Sequence, residues 1–166
     1  MTSTLSLIYR FAPEVRSISR DNNRLTIEVD GWKSLTFNVA KQAHADAIQA
    51  LEGEGATLEH IEKLASETDD VDEGCEVVSY YIERFSQARL IHWELKDESG
   101  QLAYVTPLAK GYRPLSEKLP SQLLSLCRFA YLRHTPEGML LESGAVRAHM
   151  LLTPTCLLYT SPSPRD

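Results

Sequence analysis

The residues of this 166-residue chain that could do chemistry are five histidines, three cysteines and one acidic run. His44, His60, His92, His134 and His149 show no metal-ligand spacing, and His44 falls on an apolar helical face, as a satisfied core histidine does. No H-E-x-x-H helix, G-x-S-x-G elbow or phosphate loop is present. Gly53-Glu54-Gly55 opens like a dinucleotide fingerprint, but the third glycine is missing and the pattern before it is helical, so it reads as a helix stop. Asp70-Val71-Asp72-Glu73-Gly74 begins like a calcium loop yet lacks the third ligand and the glutamate at position twelve. It reads as a solvated helix start. Cys75, Cys127 and Cys156 are too far apart for a zinc ribbon or a disulfide framework. No activating base is identifiable for Cys75 or Cys127, so both are expected to be structural thiols. No catalytic, cofactor-binding or metal-binding residue is therefore expected.

Main-chain chemistry remains. If the strand Lys33–Val39 lies at a sheet edge, its N–H and C=O groups can pair with an added peptide strand, with side-chain pockets supplying selectivity. The expected contact residues are Lys33, Ser34, Leu35, Thr36 and Phe37 on the strand, with Val77, Tyr81 and Arg84 on a neighbouring helix as the other wall. The plainer alternative makes Val77 and Tyr81 core residues and covers the edge with another segment.

Positioning those groups requires a sheet and a helix side by side, and the periodicities supply both. Val15–Ser19, Leu25–Val29 and Lys33–Val39 alternate apolar and polar residues, separated by the turn signals Asp21-Asn22-Asn23 and Asp30-Gly31. This predicts a three-stranded antiparallel meander. Helical spacing follows at His44, Ala47, Ile48 and Leu51, stopped by Gly53 and Gly55. Thr57 is a suitable N-cap for a second helix with Leu58, Ile61, Leu64 and Ala65 on one stripe. A third helix is expected from Asp72 or Glu73 to Arg89, with Val78, Tyr81, Ile82 and Phe85 inward. Leu90–Leu95 and Gln101–Val105 form a hairpin. The expected class is α+β: a winged-helix-like domain with a three-stranded antiparallel sheet, three helices and a β-hairpin wing.

Composition narrows the function classes. The chain is 43% hydrophobic and 24% charged, which suits a globular fold. No apolar run reaches the ~20 residues of a membrane helix, and no secretory signal opens the chain, so a cytoplasmic location and no membrane partner are expected. The net charge is −6, and residues 53–90 carry ten acids against three bases. A helix reading DNA must approach phosphates, and this field opposes it. An acidic winged helix binding DNA is thus a distant alternative, behind a non-catalytic scaffold or dimerisation module. No nucleic-acid partner is expected.

From Arg128 the opening features return in order. Arg10-Phe11-Ala12 is matched by Arg128-Phe129-Ala130, Leu25–Glu28 by Met139–Glu142, and Leu35 and Phe37 by Met150 and Leu152. The layout expected is a domain over 1–106, a linker over 107–127, the strands of a truncated second copy over 128–155, and a tail over 156–166. The tail Cys156–Asp166 fits, codon by codon, a translated transposase-type sequencing adapter. The natural chain is accordingly expected to run on past Thr155. A second copy lacking its helices is expected to expose Leu141, Met150 and Leu152.

Strands followed by three helices, with Leu35–Asn38, Thr57-Leu58-Glu59-His60-Ile61, Tyr81-Ile82-Glu83 and Ala88-Arg89-Leu90-Ile91, resemble the PqqD-like fold, the RiPP recognition element. Arg128-Phe129-Ala130-Tyr131-Leu132-Arg133, Gly138–Ser143, Arg147–Met150 and, upstream, Leu102–Leu108 are similar to the N-terminal region of SagB-type azoline dehydrogenases of the nitroreductase superfamily. The resemblance spans about residues 5–155. It implies tandem peptide-clamp domains ahead of an FMN-binding domain that oxidises thiazoline or oxazoline rings of a ribosomal precursor peptide to azoles. The partners it implies are the precursor leader peptide, a possible cyclodehydratase, and a second copy in a homodimeric parent. The family's flavin and catalytic residues fall beyond Thr155, so FMN is expected only there and no oxidase activity is expected of this chain.

Overall fold

The computed structural model describes residues 5–31, 34–39, 41–67, 71–108 and 128–154, with the backbone alone for 71–73. The fold is α+β: among the described residues, three helices pack with antiparallel strands gathered into one three-stranded and one seven-stranded sheet.

The three-stranded sheet is the expected meander, β2 (Val15–Asp21), β3 (Arg24–Val29) and β4 (Leu35–Asn38), in that spatial order. Its turns lie where the sequence puts them, with Asn22 (φ 51°) and Gly31 (φ 70°) in the left-handed region. Leu25, Ile27 and Val29 are buried along one face of β3. The alternation expected in β2 is broken, because the register shifts between Val15 and Ser17. That bulge turns Val15 and Ile18, three positions apart, toward the same core, opposite Val29 and Ile27.

The helices are α1 (Gln42–Gln49), α2 (Leu58–Ala65) and α3 (Val71–Gln87). Thr57 caps α2 as expected, its Oγ1 accepting from the His60 N–H at 3.3 Å. Val78, Ile82 and Phe85 of α3 are buried, whereas Tyr81 is half-buried. Gly74 allows α2 and α3 to approach: a Cβ there would lie 2.6 Å from the Ala65 carbonyl oxygen.

The seven-stranded sheet has the order β5-β1-β6-β7-β10-β9-β8. Its strands are β1 (Ser6–Phe11), β5 (Ala56–Thr57), β6 (Ile91–Asp97), β7 (Gly100–Pro107), β8 (Ala130–Thr135), β9 (Gly138–Ser143) and β10 (Ala148–Leu152). Two features differ from the sequence reading. First, β1 and β5 are additional strands; β1 pairs with β6 from Ser6↔Lys96 to Phe11↔Ile91. Second, the β6–β7 hairpin is no free wing. Both of its strands are interior, flanked by β1 on one side and β10 on the other.

The repeat has a structural counterpart. Strands β8, β9 and β10 form a second antiparallel meander whose order matches β2, β3 and β4. It is zipped onto the first unit through β7, from Ala148↔Pro107 to Leu152↔Ala103. This pairing corrects the expected apolar exposure: Leu152 is buried and Leu141 and Met150 are half-buried, while the exposed apolar residues of this region are Phe129, Tyr131, Leu132 and Val146. The expected linker and adapter-like tail fall, apart from Pro107 and Leu108, outside the described residues.

Candidate functional site

Strand β4 lies at an edge of the three-stranded sheet, as strand addition requires. The Val39 N–H donates to the Asn23 carbonyl at 2.7 Å. Because bonded and non-bonded pairs alternate in an antiparallel ladder, Leu25↔Phe37 and Ile27↔Leu35 are bonded pairs, and the main-chain groups of Thr36 and Asn38 point away from β3. One of those outward groups is taken: the Tyr81 hydroxyl donates to the Asn38 carbonyl at 2.7 Å. The Thr36 main chain remains directed to the open edge.

Side chains alternate with the backbone. Ser34 and Thr36 are exposed, and Thr36 Oγ1 lies 3.4 Å from Thr26 Oγ1 across the pair. Leu35 and Phe37 face α3 and are half-buried. Phe37 meets Phe85 edge-on at a centroid distance of 5.2 Å and Tyr81 at 6.2 Å. Tyr81 in turn stacks on Phe85 at 6.2 Å. Burial pushes the Tyr81 hydroxyl pKa up, which keeps it a donor.

Between β4 and the C-terminal half of α3 runs a groove of about 660 Å³, with Leu35, Phe37, Phe85 and Leu90 as apolar lining and Arg84 and Arg89 on its helix side. The structure thus brings together Leu35, Phe37 and Arg84, with Tyr81 bracing β4 beside them. Val77 is half-buried on α3 but does not line the groove. Ser34 and Thr36 offer main chain rather than lining. Lys33 lies outside the described residues.

A second cluster escaped the sequence reading. Glu94 is 1% exposed and accepts from Arg10 Nη1 at 2.8 Å, while Lys96 Nζ lies 3.0 Å from its other oxygen and His92 Nε2 is 3.4 Å away. Burial pushes the Glu94 pKa up, but the bonds from Arg10, Lys96 and His92 outweigh it and hold the carboxyl below its ordinary range. Burial also pushes the His92 pKa down, against the pull of Glu94, so the ring is neutral at pH 7. Arg10 and Glu94 are 84 positions apart, a separation that carries no sequence signal.

These side chains belong to the sheet face opposite the helices, because their neighbours Tyr9, Trp93 and Val105 are buried in the core shared with α2 and α3. A trough of about 980 Å³ lies on that face, lined in part by Arg10, His92, Tyr104, Arg133, His149 and Leu151. The trough suits a flavin phosphate poorly. Arg10 and Arg133 are already paired with Glu94 and Glu142, and the helix that borders it presents its C-terminus near Arg89, the negative end of the dipole. Among the described residues no group of three or more His, Cys, Asp or Glu side chains is placed to hold a metal ion. No helix among them is long and apolar enough to cross a membrane.

No protein-family model matches the sequence, and no curated protein matches it.

Proposed function

We propose that the chain is a precursor-peptide-binding module: an extended peptide adds to β4 as a further strand and lodges side chains in the groove against α3. The observation that carries this reading is the outward main chain of Thr36 on an edge strand beside a groove lined by Leu35, Phe37 and Arg84. Main-chain pairing provides affinity for any extended peptide, and the apolar wall with Arg84 at its rim provides selection. On the resemblance described above, the module is a winged-helix-like peptide clamp of the PqqD type, followed by the strands of a second clamp. Its parent is then an FMN-dependent azoline dehydrogenase acting in the cytoplasm on thiazoline or oxazoline rings. In that reading the module holds the leader while a separate domain supplies the flavin chemistry.

A substitution separates binding from folding. Thr36→Pro removes an N–H that bonds nothing in β3, and proline is tolerated at such edge positions. The full chain carrying Thr36→Pro should fold and lose peptide binding at least tenfold in fluorescence polarisation. The scaffold reading draws on the exposed Phe129, Tyr131 and Leu132 at the β8 edge. It gains if Thr36→Pro leaves peptide affinity untouched and Leu132→Lys abolishes self-association.

A further inference from the structure

The β4–α3 groove and the sheet-face trough share a rim: Glu14 and Arg89 line both. We propose that a peptide held on β4 continues between these two residues into the trough, so that the two depressions form one binding path. The proposal rests on the reading of β4 given above.

The chemistry of the junction fits a peptide main chain. Glu14 can accept from N–H groups, and Arg89 offers several N–H donors to carbonyls. One of them, on Nη2, already donates to the Leu108 carbonyl at 2.7 Å, which holds the guanidinium across the junction. Arg89 occupies a backbone conformation that argues for its side chain. Its φ is 59°, in the left-handed region, just past the end of α3, where glycine is the usual residue. A non-glycine residue there is strained.

The trough itself favours a peptide over a small anion. Its cations Arg10 and Arg133 are paired with Glu94 and Glu142, and Arg89 is offset by Glu14 and Glu137 in the same lining, so the trough has no net positive charge to select a phosphate. Leu140 and Leu151 supply apolar surface, and His92, Tyr104 and His149 supply aromatic edges and polar tips. His92, nine-tenths buried, faces Glu94 with Nε2, and its Nδ1 has no partner among the described residues. From β1 to β8 the sheet crosses five interstrand gaps, about 24 Å at ~4.8 Å each, which is about seven extended residues. Adding about five residues on β4, the full path requires about twelve.

The test uses the full chain and one probe: a fluorescein-labelled 16-residue peptide selected on it from a randomised library, with truncations from each end. Polarisation should show two steps of lost affinity, one for the segment on β4 and one for the segment in the trough. Arg89→Gly removes the side chain and relieves the backbone, so its melting midpoint should match or exceed that of the parent. Its affinity for the long peptide should fall about tenfold, while a short peptide confined to β4 binds unchanged. Leu151→Arg, which fills the trough, should repeat that pattern. If both variants keep the long-peptide affinity within twofold while Thr36→Pro lowers it, the continuous path is wrong and the β4 site stands. If Thr36→Pro changes neither peptide, or no peptide is selected, both readings fall.

Discussion

Tyr81 ties α3 to the edge strand: its hydroxyl hydrogen-bonds the Asn38 carbonyl at 2.7 Å while its ring meets Phe37 edge-on. One residue thereby fixes the distance between the two walls of the groove and occupies the outward carbonyl of Asn38. Tyr81→Phe should retain the ring packing and lose the bond. The Asn38 carbonyl can then turn to water, so the cost is about 1 kcal/mol, a melting shift of a few degrees. Peptide affinity should hold or rise, because an edge carbonyl is released. A tenfold drop in affinity would instead place the hydroxyl in contact with the ligand.

Phe37 is expected to matter for both stability and binding. It packs on Phe85 and Tyr81 yet also lines the groove. Phe37→Ala should cost about 2–3 kcal/mol in denaturant unfolding, less than a fully buried phenylalanine, and reduce peptide binding. Phe37→Leu should restore most of the stability. If it also restores full affinity, the groove selects for volume rather than for an aromatic edge.

Gly55 is held by two constraints at once. Its φ is 71°, and a Cβ would lie 2.4 Å from the Tyr9 carbonyl oxygen on β1. Gly55→Ala should therefore cost more than the ~1 kcal/mol of backbone strain alone, because a main-chain atom must move. Gly53→Ala, at φ 60° in open space, should cost about that strain alone. Chemical denaturation of the two variants side by side checks the difference.

Acid should destabilise the fold through His92. Its folded-state pKa lies below the ordinary 6.5, because burial opposes the charged ring. The unfolded chain therefore binds the proton more readily, and stability falls as pH drops from about 6.5 toward the depressed value, by ~1.4 kcal/mol for each unit of depression. Glu94, also depressed, adds its own loss below its ordinary value of 4.5. His92→Gln should flatten the stability profile between pH 6.5 and 5 and leave the limb below 4.5 in place. An unchanged slope above pH 5 would assign the acid sensitivity to other groups.

Local order was legible in the sequence, and long-range pairing was not. The meander, Thr57 as a cap, the stripe Val78-Ile82-Phe85 and the hairpin all follow from residue spacing, because each is decided within about a dozen residues. Strand β1 was missed because its partner, β6, begins 80 positions after β1 ends, and the bulge at Val15/Ser17 disguised the β2 alternation. The same separation hid the Arg10–Glu94 pair. At the candidate site, Leu35, Phe37 and Arg84 come together with Tyr81 beside them, because a strand edge and a helix stripe can each be read locally. Val77 was assigned to the same wall from its spacing alone, but only the turns of α3 nearer its C-terminus line the groove. Glu14 and Arg89 carry no local signal, since it is the Ala12 N–H bond to the Leu90 carbonyl that brings the β1–β2 turn beside the end of α3.

Strand addition at β4 is tested most directly by Thr36→Pro. Polarisation titrations of a selected 16-residue peptide against the parent chain and Thr36→Pro, with thermal melts of both, separate the possibilities. A melting midpoint within a few degrees together with at least a tenfold loss of affinity is the expected result. Equal affinity in a folded Thr36→Pro chain would contradict it.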